Sequence, residues 1–158
     1  MDKIKINYVK GDVTYPIGNG KKFIVHCCNN IGAWGMGVVL SISKRWSEPE
    51  EDYRAKHTHT LGTINVVPVE DDIYVVNLIG QEGVASRGNP NESLPPVRYI
   101  AIEKGLEKLA TALKVSGGSV HMPMMGSGLA GGTWDIIERI VEVTLCDQDI
   151  PVTVYQFD

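Results

Sequence analysis

The stretch Phe23–Val39, FIVHCCNNIGAWGMGVV, decides the fold of this chain. It begins as a nearly unbroken apolar run, which is typical of a strand buried on both faces of a sheet. The run opens into a loop with glycine at Gly32, Gly35 and Gly37, and apolar residues then recur at helical intervals from Val38. Such a strand, glycine loop and helix direct backbone N–H groups towards a phosphate. The stretch therefore predicts helices on both faces of a sheet and an anion site where a helix begins.

A second glycine loop follows the same plan in His121–Trp134, HMPMMGSGLAGGTW. Here Ser127 can donate a hydroxyl to a phosphate, and Thr133 can cap the helix that follows. Glycines serve tight turns as readily as phosphate sites, so either loop alone is ambiguous. Two such loops, each at the start of a helix, favour a diphosphate held between them.

The composition is that of an ordinary globular domain, and we expect one domain over residues 1–158. The chain has 158 residues, of which 43% are hydrophobic and 22% are charged. Its 15 Lys and Arg residues against 19 Asp and Glu residues provide no basic stripe for a nucleic acid backbone. Three cysteines do not form a disulfide framework, and no apolar run is typical of a signal peptide or a membrane span. We expect a cytoplasmic protein with neither nucleic acid polymers nor membranes as partners.

Strands and helices alternate along the chain. Strands are predicted at Ile4–Val9, Phe23–Cys28, Ile64–Val69, Ile73–Ile79, Val120–Met122 and Val152–Phe157. Helices are predicted at Val38–Trp46, Ser47–Lys56, Val97–Leu113 and Thr133–Val143. The pattern predicts a three-layer α/β/α sandwich with a mixed, mostly parallel sheet, whose ligand crevice lies beyond the carboxyl ends of the strands. The polar segment Gly80–Pro96 is either a functional loop or a disordered connection.

Four motifs in combination resemble the macro domain, a module that binds ADP-ribose. They are YVKGDVT, HCCNNIGAWGMGVVLSISKRW, MPMMGSGLAGGTWDIIERIV and the final VTVYQF. The resemblance covers nearly the whole chain and is nearest to the branch that includes ADP-ribose 1''-phosphate phosphatases and terminal ADP-ribose protein glycohydrolases. It implies ADP-ribose or a derivative as the partner, with a 1''-phosphate, O-acetyl or protein-linked distal ribose, and it implies no cofactor.

The resemblance implies an adenine site near the start and the end of the chain. Asp12 matches the aspartate that accepts a hydrogen bond from the adenine amino group, beside Gly11 and the backbone N–H of Val13. A carboxylate selects against guanine, which presents a carbonyl and leaves the acceptor unpaired. Taken without the resemblance, Asp12 is an ordinary turn residue. Phe157 either packs against adenine or fills the core.

The resemblance also implies two diphosphate loops and a distal ribose site. The first loop comprises Gly35, Met36, Gly37 and Val38. The second loop comprises Ser127, Gly128, Leu129, Ala130 and Gly131. Asn29 matches a position near the distal ribose.

His26 and Asn29 are the catalytic candidates. Imidazole can act as a general acid or base near neutral pH, and relatives of the phosphatase type have histidine at this position. Because His26 lies in an apolar strand, a buried histidine satisfied by the backbone is an equally good interpretation. The spacing of the other histidines, His57, His59 and His121, predicts no metal site.

Two departures from the glycohydrolase relatives narrow the chemistry. Those relatives use a lysine after the central strand and an acid after the second loop's Gly-Leu pair, whereas Asn77–Gln81 contains no lysine and Ala130 occupies the acid position. That mechanism requires both groups, so we do not expect it here. Gln81 either orients a water or a ribose hydroxyl, or is a surface loop residue.

The leading hypothesis is a macro domain that binds ADP-ribose and hydrolyses a small derivative at the distal ribose, such as the 1''-phosphate monoester. The first alternative is a binding module without a reaction. The second is a deacylase, or a hydrolase that removes ADP-ribose from an ester-linked acceptor. The sequence leaves open whether the protein is an enzyme.

Overall fold

The described residues form a six-stranded sheet with helices on both faces. The computed structural model describes residues 4–35, 37–91, 93–126 and 131–157. The strands are β1 (Asn7–Lys10), β2 (Lys22–Asn29), β3 (Ile64–Glu70), β4 (Ile73–Gln81), β5 (Ser119–Pro123) and β6 (Val152–Gln156). The helices are α1 (Val38–Arg45), α2 (Glu48–Ala55), α3 (Tyr99–Ser116) and α4 (Trp134–Thr144), with a short 3₁₀ helix at Cys146–Gln148.

The strand order of the sheet is β1-β6-β5-β2-β4-β3. Strand β3 runs antiparallel to β4, and every other neighbouring pair is parallel. The predicted mixed, mostly parallel sheet is therefore confirmed, and so is the predicted hairpin between β3 and β4. Because the carboxyl ends of the parallel strands meet at one edge, the loops that follow them are gathered there.

Alternate residues of the central strands are buried on opposite faces of the sheet. Ile24 and Val75 pack with residues of α1 and α2, whereas Val25 and Leu78 pack with residues of α3 and α4. All four side chains are fully buried. A strand that is buried on both faces needs apolar residues at every position, which explains the unbroken run in β2.

Two predicted elements begin two or more residues later in the structure. Strand β1 begins at Asn7, where its pairing with β6 begins, and not at Ile4. Helix α3 begins at Tyr99 because Arg98 is extended and donates its N–H to the carbonyl of Gly80 at 2.8 Å. Thr133 is the N-cap residue of α4 as predicted, but its side chain makes no capping hydrogen bond.

Among the helices of the described ranges, none has the length and apolar character needed to cross a bilayer.

The segment between β4 and α3 is folded back on itself. Glu82 donates its N–H to the carbonyl of Pro96 at 2.8 Å, and Arg98 donates from Nη2 to Oδ1 of Asn89 at 2.7 Å. Val84 and Arg87 close a tight turn through reciprocal backbone hydrogen bonds. In the described part of this segment, these bonds support an ordered loop and not a disordered connection.

Candidate functional site

A first cavity, of about 290 Å³, lies beside the carboxyl ends of β1 and β6 and the start of α1. Its lining comprises Gly11, Asp12, Val13, Gly37, Val38, Ser41, Pro123, Tyr155 and Phe157. Six of these were predicted as ligand-binding residues: Gly11, Asp12, Val13, Gly37, Val38 and Phe157. Phe157 is 75% exposed, so the alternative that it fills the core is wrong. Its ring is available to the face of a flat ligand.

Asp12 holds the turn beside this cavity with one carboxylate oxygen. Its Oδ1 accepts hydrogen bonds from the backbone N–H of Thr14 at 2.9 Å and from the Thr14 hydroxyl at 2.8 Å. Arg45 donates to the carbonyl of Thr14 and lies over the ring of Tyr15 at 4.0 Å. Among the described residues, these hydrogen bonds to Asp12 all reach Oδ1, which leaves Oδ2 for a ligand.

Tyr155 fixes the wall of the first cavity through a buried hydrogen-bond chain. Its hydroxyl accepts the N–H of Ile17 at 2.9 Å and lies 2.7 Å from Nδ1 of His121. Nε2 of His121 lies 2.7 Å from Oγ of Ser119. Burial lowers the pKa of His121 to about 4, so the ring is neutral at pH 7 and one of its nitrogens donates while the other accepts.

Residues on either side of the start of α1 border two cavities. Gly37 and Val38 line the first, and Gly35 and Val39 line the second. Gly37 is the N-cap of α1 with a φ of 79°, and Leu40 donates its N–H to the carbonyl of Gly37 at 3.1 Å, so the N–H groups without a partner within the helix are those of Val38 and Val39. A Cβ at Gly35 would meet no atom within 4 Å, so the main chain is open to close approach there. An anion between the cavities would meet these N–H groups and the positive end of the helix.

The second cavity, also about 290 Å³, lies under residues Val84–Arg87, which form the tip of the segment between β4 and α3. Its lining comprises Cys27, Cys28, Asn29, Ala33, Trp34, Gly35, Val39, Gln81, Val84, Ala85, Ser86 and Arg87. Asn29 and Gly35 were predicted as site residues. Gln81 is the half-buried last residue of β4, so its interpretation as a surface loop residue is wrong. Arg87 is the single charged residue in the described lining.

His26 lies in the interior and lines neither cavity as described. Its side chain is fully buried, and Nε2 is 2.6 Å from Oδ1 of Asn77, whose Nδ2 donates to the carbonyl of Pro49 at 3.0 Å. Burial lowers the pKa of His26 to about 4, so the imidazole is neutral at pH 7 and Nε2 carries the donated proton. A general acid must come within hydrogen-bond reach of the reacting group. The acid–base role of His26 therefore stays a prediction without geometric support.

Asn29 shapes the entrance to the first glycine loop. Its Oδ1 accepts the N–H groups of Ile31 at 3.1 Å and Ala33 at 3.0 Å, and the Tyr53 hydroxyl at 2.9 Å. Its Nδ2 donates to the carbonyl of Ala33 at 2.7 Å. These bonds hold Asn29 at the wall of the second cavity, where its catalytic role also stays a prediction.

The two adjacent cysteines have protonated thiols. Burial raises the pKa of Cys27 to about 12, and it raises the pKa of Cys28 well above its ordinary value. Sγ of Cys28 lies 3.8 Å from Nδ1 of His26, but a neutral thiol beside a neutral imidazole is not an activated nucleophile. Both cysteines act as small apolar groups at the wall of the second cavity.

The second glycine loop is described only at its two ends. Gly126 and Gly131 each have a φ of 76°, and Gly132 donates its N–H to the carbonyl of Gly126 at 2.8 Å. Gly131 does not appear in the described lining of either cavity. The remaining predicted residues, Ser127, Gly128, Leu129 and Ala130 here and Met36 in the first loop, lie outside the described residues. The role of the second loop therefore stays a prediction.

Comparison with curated proteins finds relatives over almost the whole chain. The chain is 32% identical over 166 residues to mouse chromodomain-helicase-DNA-binding protein 1-like, and the match covers 99% of this chain and 18% of that protein. The chain thus spans less than a fifth of the length of this relative. It is 26% identical over 153 residues to the ADP-ribose 1''-phosphate phosphatase of Lodderomyces elongisporus, with 87% and 91% of the two chains covered. No protein-family model matches the chain.

Solved structures identify the fold family. A Bacteroides thetaiotaomicron protein of unknown function is 45% identical, with a TM-score of 0.92 and with 98% of this chain and 99% of that chain covered. A macrodomain protein from Streptomyces coelicolor is 41% identical, with a TM-score of 0.81 and coverage of 96% and 99%. The chain belongs to the macrodomain family. Thermosipho africanus DarTG, solved in complex with ADP-ribose, has the same fold with a TM-score of 0.73 at 19% identity, over 99% of this chain and 43% of that chain.

The two cavities include residues that the sequence pattern did not single out. Tyr155 lines the same cavity as Phe157, and its position two residues earlier in the predicted strand Val152–Phe157 is the signal that could have found it. The tip Val84–Arg87 was indicated only by the length of the loop that contains it. Its place over the second cavity depends on contacts with distant segments, which a local sequence pattern does not predict.

Proposed function

We propose that this macrodomain binds ADP-ribose across both cavities. The adenine occupies the first cavity, the diphosphate lies against Gly35–Val38, and the distal ribose occupies the second cavity. The observation that carries the proposal is the lining of the two cavities, which are of similar size: Gly37 and Val38 line the first, Gly35 and Val39 line the second, and α1 begins between them. A ligand with two ring systems joined by an anionic bridge matches this arrangement.

The first cavity has the groups that adenine requires. One oxygen of the Asp12 carboxylate is engaged by Thr14, and the other can accept a hydrogen bond from the adenine amino group. The exposed ring of Phe157 can stack on the base. The ADP-ribose complex of the Thermosipho protein, which has the same fold, supports this ligand.

Titration calorimetry with ADP-ribose, GDP-ribose and AMP tests the proposal. We expect ADP-ribose to bind most tightly. GDP-ribose should bind weakly because guanine turns a carbonyl towards the Asp12 carboxylate, and AMP should bind weakly because it leaves the second cavity empty. Equal affinities for ADP-ribose and GDP-ribose would contradict the adenine assignment, and failure of ADP-ribose to bind would end the proposal.

A second candidate function is hydrolysis of ADP-ribose 1''-phosphate, favoured by the relative named as that phosphatase. In this reaction water attacks phosphorus, the bond to the distal ribose oxygen breaks, and that oxygen takes up a proton, which yields ADP-ribose and orthophosphate. His26 and Asn29 were predicted to position the water or to protonate the leaving oxygen. The described lining of the second cavity holds no carboxylate or imidazole, so we expect slow turnover at most.

Phosphate release from ADP-ribose 1''-phosphate separates the enzyme from a binding module. Turnover above the rate without protein, lost when ADP-ribose is added as a competitor, would support catalysis in this site. If His26 transfers the proton, the rate should titrate near the pKa of about 4. Release of acetate from O-acetyl-ADP-ribose under the same conditions tests the deacylase alternative. If neither product forms while ADP-ribose binds, both of these reactions are excluded, and release of ADP-ribose from an ester-linked acceptor is the remaining reaction to test against a binding module.

A further inference from the structure

The tip of the segment between β4 and α3 places one cation at the second cavity. We infer that Arg87 recognises an anionic substituent on the distal ribose, so that the site favours ADP-ribose carrying a 1''-phosphate over free ADP-ribose and over neutral acyl esters. This inference rests on the proposed binding of ADP-ribose across both cavities. It addresses the point that the sequence left open, namely the group attached to the distal ribose.

Two glycines in close contact, Gly83 and Gly88, form the neck of the turn that carries Arg87, where the main chain enters and leaves that turn. Gly83 and Gly88 have φ values of 73° and 81°, and a Cβ on Gly83 would lie 2.3 Å from the carbonyl carbon of Gly88. Gly83 donates its N–H to Oδ1 of Asn30 at 2.8 Å, which ties the neck to the residue that follows β2. The neck is therefore fixed to the sheet edge from which the second cavity opens.

The turn Val84–Arg87 is closed by its own backbone hydrogen bonds, and the side chain of Arg98 supports the segment around it. Val84 donates its N–H to the carbonyl of Arg87 at 2.8 Å, and Arg87 returns the bond at 3.3 Å. Arg98 braces the outer side of the segment, with Nη2 at 2.7 Å from Oδ1 of Asn89 and Nε at 3.5 Å from Oε2 of Glu82. The backbone of Arg87 is thus set in place, while its side chain is exposed and borders the cavity.

The positive charge of Arg87 is not neutralised by other described residues at the second cavity. The other described residues that line the second cavity are uncharged, and the ion pairs found among the described residues leave Arg87 without a carboxylate partner. The whole chain carries a net charge of −4, so a phosphate approaching elsewhere meets a mildly repulsive surface. The Arg87 guanidinium is therefore a local attraction for an anion inside the site.

The guanidinium distinguishes the possible substituents by charge and shape. A phosphate monoester presents several anionic oxygens, which a guanidinium can bind through two parallel N–H groups. An acetyl ester presents a single neutral carbonyl oxygen, and free ADP-ribose presents a hydroxyl. Gln81 and Ser86, which also border the cavity, can bond to ribose hydroxyls but supply no charge.

The test compares ADP-ribose, ADP-ribose 1''-phosphate and O-acetyl-ADP-ribose on the wild type and on R87Q, R87K and R139Q. Arg139 is a matched control because it lies on α4 with a side chain 69% exposed, so R139Q makes the same change in net charge away from the cavity. We expect R87Q to weaken binding of the 1''-phosphate about tenfold or more and to leave the other two affinities unchanged. R87K should retain part of the preference, and R139Q should behave as wild type.

Two further measurements distinguish a loss of phosphate recognition in R87Q from a loss of folded structure. The melting temperature of R87Q should equal that of the wild type, and its deficit for the 1''-phosphate should shrink at high salt because the lost interaction is ionic. An equal loss for all three ligands, or no loss for the 1''-phosphate, would overturn the inference about Arg87. Neither result would contradict the proposal that the wild type binds ADP-ribose. Failure of the wild type to bind ADP-ribose would overturn both proposals.

Discussion

At the residue scale, Asp12 holds its turn with one carboxylate oxygen, and in the proposed complex the other oxygen binds the ligand. Its Oδ1 accepts both hydrogen bonds from Thr14, so an asparagine at this position would keep its carbonyl oxygen on Thr14. The amide NH₂ would then occupy the place of Oδ2 and face the adenine amino group, donor against donor. Turn formation and adenine recognition can therefore be separated by a single pair of variants.

We expect D12A and D12N to weaken ADP-ribose binding alike, by ~1–3 kcal/mol, because both remove the acceptor that we propose faces adenine. D12N should keep the wild-type melting temperature, whereas D12A also loses the bonds to Thr14. Calorimetry and thermal unfolding measure the two effects. Wild-type affinity in D12N combined with a loss in D12A would show that Asp12 acts through the turn alone.

Phe157 gives a second prediction at this scale. Because its side chain is 75% exposed, F157A removes a ring that contributes little to the core. We expect weaker ADP-ribose binding by ~0.5–1.5 kcal/mol, the range for a stacked aromatic pair, with no change in melting temperature. V115A is the control, since Val115 is 91% exposed at the end of α3. An unchanged affinity for F157A would place the base elsewhere.

His26 shows where sequence reasoning about single residues ends. The apolar run predicted burial of every residue in β2, and burial is what the structure shows for His26. Its partner is Asn77, which is 51 residues away in β4 and reaches it only through the pairing of the two strands. A motif can indicate that an imidazole is present, but the distance from that imidazole to a ligand depends on tertiary packing.

At the scale of elements, Tyr53 couples α2 to the loop that follows β2. Its hydroxyl lies 2.6 Å from the carbonyl oxygen of Asn29 and 2.9 Å from Oδ1 of the same residue, and its side chain is fully buried. His59 and Trp34 pack against its ring. Helix α2 therefore helps to set the position of the wall of the second cavity.

We expect Y53F to lower the free energy of unfolding by about 1–3 kcal/mol, because a buried acceptor loses its donor. ADP-ribose should bind more weakly, while AMP, which fills the first cavity alone, should bind as it does to wild type. Chemical unfolding and calorimetry test this, with Y15F at a residue 62% exposed as the control. A parallel loss for AMP would mean that Tyr53 supports the whole domain and not the second cavity.

The order of elements was predictable because local patterns determine it. The acidic turn Glu70–Asp72 correctly indicated the β3–β4 hairpin, and Asp72 has the positive φ, 62°, that such a turn favours. Thr133 was correctly placed at the start of α4, but its N–H is taken by the hydroxyl of Tyr99 at 2.9 Å and its side chain does not cap. Position follows from sequence pattern, whereas the choice of hydrogen-bond partner follows from the neighbouring helix.

At the scale of the whole molecule, two buried neutral histidines link stability to pH. Burial lowers the pKa of His26 and of His121 to about 4, below the unfolded value of 6.5. The unfolded chain therefore binds more protons between these values. The stabilisation is fully present above pH 6.5 and is lost as pH falls towards 4.

We expect the free energy of unfolding to decrease by up to about 1.4 kcal/mol per pH unit for each histidine in this window. Urea unfolding at pH 7, 6 and 5 measures the slope. H121Q removes one titrating group and should make the slope shallower, and the exposed His57 provides the control variant H57Q. A slope that is the same in wild type and H121Q would show that His121 is not buried in its neutral form.

The start of α1, which separates the two cavities, also constrains the proposed ligand. Gly37 and Val38 line one cavity, and Gly35 and Val39 line the other. In the proposed complex, the two ring systems of an occupant must therefore be joined by a bridge that passes the first residues of this helix. We expect a ligand whose bridge is too short for this path to fill one cavity and to leave the other to water.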